Sequence, residues 1–207
     1  MRGRCRIRCK TNSSRQVVRV RLSVYIPPVS ALIPPCRPRP VKRLPTGNVW
    51  LHEPKLDGWR LQAVKVGFDV AVYSRNGRDL TKRFAGIVHA VRKLPCRSVA
   101  LDCEVILVGG DGIDFYGLMG QKRPANAALV AFDIMELDSQ DLRPLPLVSR
   151  KAHLQKLMAK NRSADLAVVP SFEDGERLMV ACMEHSLKAW SPSARARPMP
   201  PAPGPNG

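Results

Sequence analysis

The sequence has no long apolar stretch, no cysteine pair at metal-ligand spacing and no acidic residue near either end. Arg, Lys, Asp or Pro interrupts every apolar run well before the roughly 18 residues that a membrane-spanning helix needs, which predicts a soluble protein. The six cysteines form no C-x-x-C pair, and only Cys5 and Cys9 could supply half of a zinc site, so we expect no zinc. Reduced thiols in a cytoplasmic protein are the expectation instead.

The charge is concentrated at the ends of the chain. The net charge is +17 over 207 residues, yet residues 53–184 hold 19 basic and 17 acidic side chains. Residues 1–52 hold 12 basic side chains and residues 185–207 hold 3, with no acid in either segment. This distribution indicates electrostatic attraction of the ends to a polyanion and says nothing about the fold. The prolines after the basic start, and the lack of a small-residue cleavage pattern, are not typical of a secretory signal. The Arg-rich, acid-free start would also suit an organellar transit peptide, although the prolines would break the amphipathic helix of such a peptide.

Proline content divides the chain into three parts. Residues 1–46 are basic and Pro-rich and are expected to form a tail, because proline removes backbone donors and keeps its neighbours extended. The chain as a whole is 44% apolar, which is typical of a globular protein. Residues 47–187 are long enough for one domain with a buried core. Residues 188–207 are again Pro-rich, so we expect no packed element there.

The periodicity of the middle part predicts an α+β domain. Alternating apolar residues predict strands, and Gly67 lies between the first two of them as in a hairpin. Spacings of three and four predict helices, with Thr81 and Ser149 as caps. We expect strands over 61–66, 70–73, 99–108 and 128–137, and helices over 81–94, 149–160 and 172–187. The sheet is expected to be largely antiparallel.

The feature most indicative of chemistry is the run Glu53-Pro-Lys55-Leu-Asp57-Gly58-Trp-Arg60. A lysine held between a strand and an Asp-Gly turn suits covalent catalysis, provided that its amine can become neutral. The same string could instead be a surface hairpin with ordinary ion pairs, in which Asp57 only orients the turn. Three further motifs follow in order: Tyr73-Ser-Arg75-Asn-Gly77, Leu101-Asp-Cys-Glu104 and Ala131-Phe132-Asp-Ile-Met135.

This ordered set resembles the nucleotidyltransferase core of ATP-dependent DNA ligases, most closely the bacterial type associated with end joining. The resemblance covers roughly residues 47–187 and includes the stretch from Phe132 to Lys151 and the run Ser171-Phe-Glu-Asp-Gly175. Capping enzymes and RNA ligases share the lysine motif, but the long continuation favours DNA ligases. The resemblance implies an antiparallel-sheet nucleotidyltransferase core, ATP-grasp-like, with a flexible basic N-terminal tail and a Pro-rich C-terminal tail.

The resemblance also implies a role for each matching residue. Lys55 matches the nucleophile that attacks the α-phosphate of ATP to give lysyl-AMP, and the reaction implies Mg²⁺. The matching ATP-binding positions are Glu53 at the adenine edge, Arg60 and Arg75 at phosphate or ribose, Glu104 near the ribose hydroxyls and the metal, and Phe132 stacked on adenine. The AMP would then pass to a nick in duplex DNA, which implies nicked DNA and repair or end-joining proteins as partners, no membrane contact and a monomer.

Several alternatives and departures accompany this interpretation. Glu104 could be a paired structural carboxylate, and Phe132 could be ordinary core. Cys103 stands where the family usually has Gly, so its side chain would enter a place that needs close backbone approach.

The sequence also departs from the family after Lys188, where the family continues into a Glu-Gly strand and a lysine-rich strand. We therefore expect truncation or a change of reading frame, with loss of a metal-side carboxylate, of triphosphate-binding lysines and of the OB-fold domain, and a sheet edge left unprotected. The alternative function is an inactive ligase remnant that binds nucleic acid through its basic ends. A ribosomal-protein-like binding module is less favoured, because the middle of the chain is nearly neutral.

Overall fold

Strands and short helices alternate along the chain in the computed structural model, which describes residues 32–36, 50–109, 112–113, 117–120, 124–161, 163–184 and 190–194. The strands are β1 (Trp50–Pro54), β2 (Trp59–Val66), β3 (Asp69–Ser74), β4 (Ser98–Gly109), β5 (Gly112–Ile113), β6 (Ala127–Leu137), β7 (Gln140–Asp141), β8 (Leu166–Val168) and β9 (Trp190–Ala194). The helices are α1 (Ala85–Arg92), α2 (Gly117–Gly120), α3 (Leu147–Met158) and α4 (Gly175–Glu184). The predicted α+β class is confirmed.

The main sheet has the strand order β3-β2-β4-β6-β7, with β5 paired to β4 and β8 paired to β6. Strand β8 runs parallel to β6, and the other described pairings are antiparallel. The largely antiparallel sheet predicted from the sequence is thereby confirmed. Strands β1 and β9 form a separate two-stranded sheet.

One face of the main sheet carries the hydrophobic core. Alternate residues of a strand point to the same face, and on β2 these are Leu61 and Ala63, which are almost fully buried. Helices α1 and α3 cover this face, since their apolar residues belong to the same buried cluster as those of β4 and β6. The core members from the two helices are Ile87, Val88, Ala90, Val91, Leu154, Leu157 and Met158.

The opposite face of the sheet is more polar and is called here the site face. It carries Arg60 and Gln62 of β2 together with Asp102 and Glu104 of β4, which are their cross-strand partners in the β2–β4 ladder. Two small apolar clusters flank these polar side chains. One is built on Val64, Ala100 and Met135, and the other is built on Ile106, Ala128, Val130 and Val169.

The two predicted helix caps are wrong. Helix α1 begins at Ala85, and the hydroxyl of Thr81 instead accepts a hydrogen bond from the backbone N–H of Val72 at 3.0 Å, which ties the preceding turn to β3. Helix α3 begins at Leu147 with Pro146 at its N-cap, two residues before Ser149. In both cases the nearest hydroxyl side chain does not cap the helix, because Thr81 is hydrogen-bonded to β3 and Ser149 lies inside α3.

The β2–β3 hairpin agrees with its prediction. The two strands pair from Leu61 with Ser74 to Val66 with Asp69. Gly67 adopts φ +60°, a conformation that a residue with a side chain rarely adopts. The turn predicted at Gly67 therefore has its physical reason in that residue.

Part of the C-terminal segment that was predicted to be a tail forms a strand. Strand β9 lies in the Pro-rich segment where no packed element was expected, and it pairs with β1 from Trp50 with Ala194 to Pro54 with Trp190. An edge strand can pair with any segment whose backbone N–H and C=O groups are free. Pro192 has no N–H, but an edge strand tolerates proline because only one side of it is hydrogen-bonded in the ladder. Strand β9 covers β1 in a two-stranded sheet that is separate from the main sheet. Cys5, Cys9 and the predicted boundaries at 46/47 and 187/188 lie outside the described residues.

Within the described part of the chain, no helix has the length and apolar character that crossing a membrane requires.

Candidate active site

The lysine motif forms the short connection between β1 and β2. Strand β1 ends at Pro54 and β2 begins at Trp59, which leaves Lys55 exposed at the strand end. Gly58 lies so close to β4 that an added Cβ would sit 2.1 Å from the carbonyl oxygen of Val105. Its N–H also donates to Oε1 of Glu104 at 3.1 Å. The turn that carries Lys55 is therefore fixed against β4 by a residue without a side chain.

Arg60 is held by a two-point ion pair on the site face. Its Nε and Nη2 donate to the two carboxylate oxygens of Asp102 at 3.0 and 2.7 Å. Burial raises the pKa of Asp102, and Arg60 opposes that rise. Burial alone would lower the pKa of Arg60, but the hydrogen bond and the charge of Asp102 together raise it. The fork of the guanidinium is thus engaged by protein, so a ligand must use the remaining donors.

Glu104 lies beside both cations of the motif. It is the ladder partner of Arg60, and its carboxylate accepts the Gly58 N–H. Burial raises the pKa of Glu104, whereas the Gly58 hydrogen bond and the charges of Lys55 and Arg60 lower it by smaller amounts. Glu104 is therefore paired, as the structural alternative requires, but its partners Gly58, Arg60 and Lys55 all belong to the lysine motif.

Phe132 lies on the site face beside a β-bulge. It alternates along β6 with the core residues Leu129 and Ala131, so ordinary strand alternation places its ring on this face. The register of the β4–β6 ladder shifts next to Phe132, and such bulges are common beside functional sites. The half-buried ring lies 5.3 Å from the guanidinium carbon of Arg60 and packs against the apolar cluster that also contacts Leu56. The ring thereby lies beside Arg60 and beside Leu56 of the Lys55 turn.

Arg75 lies at the same end of the sheet. It follows Ser74, which pairs with Leu61, so it is placed one residue beyond the ladder beside Arg60. Its side chain is exposed.

Glu53 has partners that the sequence did not reveal. It is buried on β1, and its Oε1 accepts hydrogen bonds from Nζ of Lys151 and, at 2.8 Å, from Oγ of Ser171. Lys151 and Ser171 come from α3 and from the segment after β8, respectively. Lys151 and Ser171 lie in the two stretches that resemble the ligase family. That resemblance was the only feature of the sequence that could have pointed to them.

Residues 32–36 are a second set that the sequence analysis missed, because they were assigned to the N-terminal tail. The backbone N–H and carbonyl of Ile33 pair with the side-chain amide of Gln62 at 3.0 and 2.5 Å. Nη1 of Arg60 donates to the carbonyl of Cys36 at 2.6 Å. Ile33 packs against the cluster built on Val64, Ala100 and Met135. This segment therefore lies across the site face and helps to hold Arg60.

Cys103 does not obstruct the site, contrary to the expectation. Its side chain is fully buried on the core face, between the ladder partners Leu61 and Ala131. Glu104, the next residue, points to the other face. Burial also raises the pKa of the Cys103 thiol well above its usual value, so it is a poor nucleophile.

The described residues include no group of three or more His, Cys, Asp or Glu side chains that could enclose a metal. Mg²⁺ often binds proteins through one or two carboxylates, with waters and substrate phosphates as its other ligands. A single carboxylate at Glu104, beside Lys55 and Arg60, fits that mode.

Comparison with known proteins gives the family. The sequence model of the ATP dependent DNA ligase domain matches residues 39–188. Similar curated proteins include a "Probable DNA ligase" of Saccharopolyspora erythraea, 35% identical over 53% of this chain and 23% of that protein. Another is "DNA ligase C" of Mycobacterium tuberculosis, 33% identical over 56% of this chain and 36% of that protein. The chain thus spans about a quarter to a third of the length of these relatives.

A solved structure shows the same fold. The ligase domain of M. tuberculosis LigD superposes with a TM-score of 0.64 at 22% identity, covering 76% of this chain and 53% of that domain. This likeness shows that the sheet and its helices share the fold of that ligase domain. Because the domain match extends over more than half of its residues, the protein belongs to the ATP-dependent DNA ligase family.

Proposed function

We propose that this chain performs the adenylation step of a DNA ligase, with Lys55 as the nucleophile. The neutral amine attacks the α-phosphate of ATP, a bond forms between Nζ and phosphorus, and the bond from that phosphorus to the bridging oxygen breaks. Pyrophosphate leaves, and the amine loses its proton. The observation that supports this proposal is the fixed turn: the close approach of Gly58 to β4 and its hydrogen bond to Glu104 hold the turn that carries Lys55. Arg60 and Phe132 lie beside that turn.

The other residues of the site face would bind and orient the nucleotide. Phe132 offers a ring face for the base, and Glu53 offers a carboxylate to its edge. Arg60 and the exposed Arg75 offer donors to phosphate or ribose oxygens, which suits guanidinium groups. Glu104 would hold Mg²⁺, whose charge stabilises the departing pyrophosphate.

The later steps are proposed from the relatives that are named DNA ligases. The adenylyl group would pass from Lys55 to the 5′-phosphate at a nick in duplex DNA, and the neighbouring 3′-hydroxyl would then displace AMP. Such sealing serves DNA repair and recombination. The chain covers 23% and 36% of the length of two of these relatives, so the later steps are proposed for the whole protein.

Replacing Phe132 by alanine is expected to weaken ATP binding about five- to 160-fold, because stacking of a base on an aromatic ring contributes about 1–3 kcal/mol. Isothermal titration calorimetry of ATP against the wild type and Phe132→Ala measures this. Phe68→Ala is the matched control, since Phe68 is 84% exposed in the β2–β3 turn. If Phe132→Ala binds ATP as tightly as the control does, Phe132 is ordinary core and the base lies elsewhere.

The second candidate function, nucleic-acid binding through the basic ends, rests on the distribution of charge. Deleting residues 1–31 removes eight basic side chains and no acidic ones while leaving residues 32–36 in place on the site face. We expect weaker DNA binding at low salt and a log–log salt slope reduced by at most about 7, with ATP affinity unchanged. A salt slope equal to that of the full chain would show that these charges do not contact DNA. A deletion through residue 46 would also disturb Arg60.

A further inference from the structure

The buried ion pair of Glu53 connects three distant parts of the chain at one carboxylate oxygen. Lys151 lies 98 residues and Ser171 lies 118 residues from Glu53 in sequence, and both donate to Oε1. The two charged side chains of the pair are each less than 10% exposed. Among the described contacts, Oε2 takes no part in this arrangement, so it is the oxygen left for a further donor.

Contacts link this carboxylate to the segments that carry Lys55 and Phe132. Glu53 is two residues before Lys55 on the strand that leads into the nucleophile turn. Ser171 is two residues after Val169, which packs in the same apolar cluster as Phe132 and Leu56. The backbone N–H of Val169 also donates to the carbonyl of Ala131, the residue before Phe132. The ring and the carboxylate are therefore positioned by the same segment.

We infer that Lys151 and Ser171 are positioning residues that leave Glu53 with a single carboxylate oxygen to accept a hydrogen bond from the nucleobase. An ionised carboxylate has two acceptor oxygens, and with both free it can pair with two adjacent donors. Lys151 and Ser171 occupy Oε1, which leaves Oε2 for a single donor. The inference rests on the proposed function, because it assumes that the nucleotide binds on this face.

The chemistry of the two purines then decides the selectivity. Adenine presents one amino donor beside the acceptor N1, so a single carboxylate oxygen satisfies its edge. Guanine presents two adjacent donors, N1–H and the 2-amino group, which both oxygens of a free carboxylate would accept. A carboxylate with one oxygen already engaged loses that second contact, and a donor left without its partner in a closed site is costly. The arrangement therefore favours ATP over GTP.

The test compares the affinities for ATP and GTP, without chemistry, in the wild type and in variants of the full chain. Ser171→Ala removes one donor to Oε1 and is expected to lower the ATP-to-GTP preference about threefold to tenfold. Lys151→Met removes the charge while keeping the length of the side chain, and we expect a drop of at least about tenfold. Lys151→Arg restores a cationic donor and should retain the preference within about threefold. The matched controls are Ser163→Ala, in the loop before β8, and Lys156→Met, on the exposed side of α3.

The outcomes separate this inference from the proposed function. A wild type that binds neither nucleotide would overturn the proposed function. A wild type that prefers ATP, with Ser171→Ala and Lys151→Met keeping the same ATP-to-GTP ratio, would overturn only the inference and make the ion pair a structural tie between α3 and β1. If Lys151→Met fails to fold, the ratio in Ser171→Ala decides. Lower affinity for both nucleotides at an unchanged ratio also counts against the inference.

Discussion

Lys55→Ala is expected to abolish covalent transfer of AMP from ATP to the protein. The side chain is exposed at the end of β1, so its removal takes away the proposed nucleophile while leaving the core intact. Lys55→Arg should be equally inactive, because the guanidinium remains protonated and cannot attack phosphorus. The measurement is retention of label by denatured protein after incubation with α-labelled ATP and Mg²⁺.

The control for this result is Lys82→Ala, another exposed lysine, which lies in the turn before α1. It should label as the wild type does, and all three variants should unfold at about the wild-type temperature. Label retained by Lys55→Ala at the wild-type level would show that a different residue is the nucleophile.

Gly58→Ala is expected to cause the largest combined loss of stability and activity. The new Cβ would overlap the carbonyl oxygen of Val105, so β2 and β4 must separate where their ladder begins. Overpacking of this kind typically costs about 1–3 kcal/mol of unfolding free energy. Displacement of the Lys55 turn by an ångström should lower the rate of self-adenylation about 100-fold.

Gly86→Ala provides the matched comparison. Gly86 lies in α1 with open space around its Cα, so alanine there should stabilise the protein by up to about 1 kcal/mol and leave adenylation unchanged. Chemical denaturation and the initial rate of labelling measure both quantities. A Gly58→Ala variant as stable and as active as Gly86→Ala would contradict the role given to the close approach of Gly58 to β4.

The elements with strong periodicity could be predicted from the sequence, because burial on one face imposes that period. Strands β2, β3, β4 and β6 were predicted within two residues of their observed ends. The helix starts were less predictable, since Thr81 hydrogen bonds to β3 and Pro146 begins α3. Strand β9 lacked a recognisable pattern because its pairing with β1 depends on backbone groups that any sequence carries.

The candidate site was predictable to the extent that its residues lie in compact motifs. The structure brings together Arg60, Glu104 and Phe132 beside the Lys55 turn, as the order of the motifs suggested. The bulge beside Phe132 could not be predicted from the sequence, because it appears only as a shift of register between β4 and β6.

The supporting contacts could not be predicted, because they join residues far apart in sequence. The partners of Glu53 are separated from it by about half of the chain, and their types, lysine and serine, are common on surfaces. The contact of residues 32–36 with the site face could not be predicted, because the prolines and charges of the surrounding segment are typical of a tail. Their contact with the site face depends on Gln62. Its side-chain amide accepts from the N–H of Ile33 and donates to the carbonyl of Ile33, as the backbone of a neighbouring strand would.

The most direct test of the account is to find where AMP becomes attached. The wild-type chain is incubated with Mg²⁺ and with ATP labelled at either the α- or the γ-phosphate, and the modified peptide is located by mass spectrometry. We predict that only the α-label stays on the protein, as one adenylyl group on the peptide that contains Lys55. Attachment at another residue, retention of the γ-label, or no attachment in a folded protein that binds ATP would contradict the proposal that this chain is a lysyl-adenylating ligase domain.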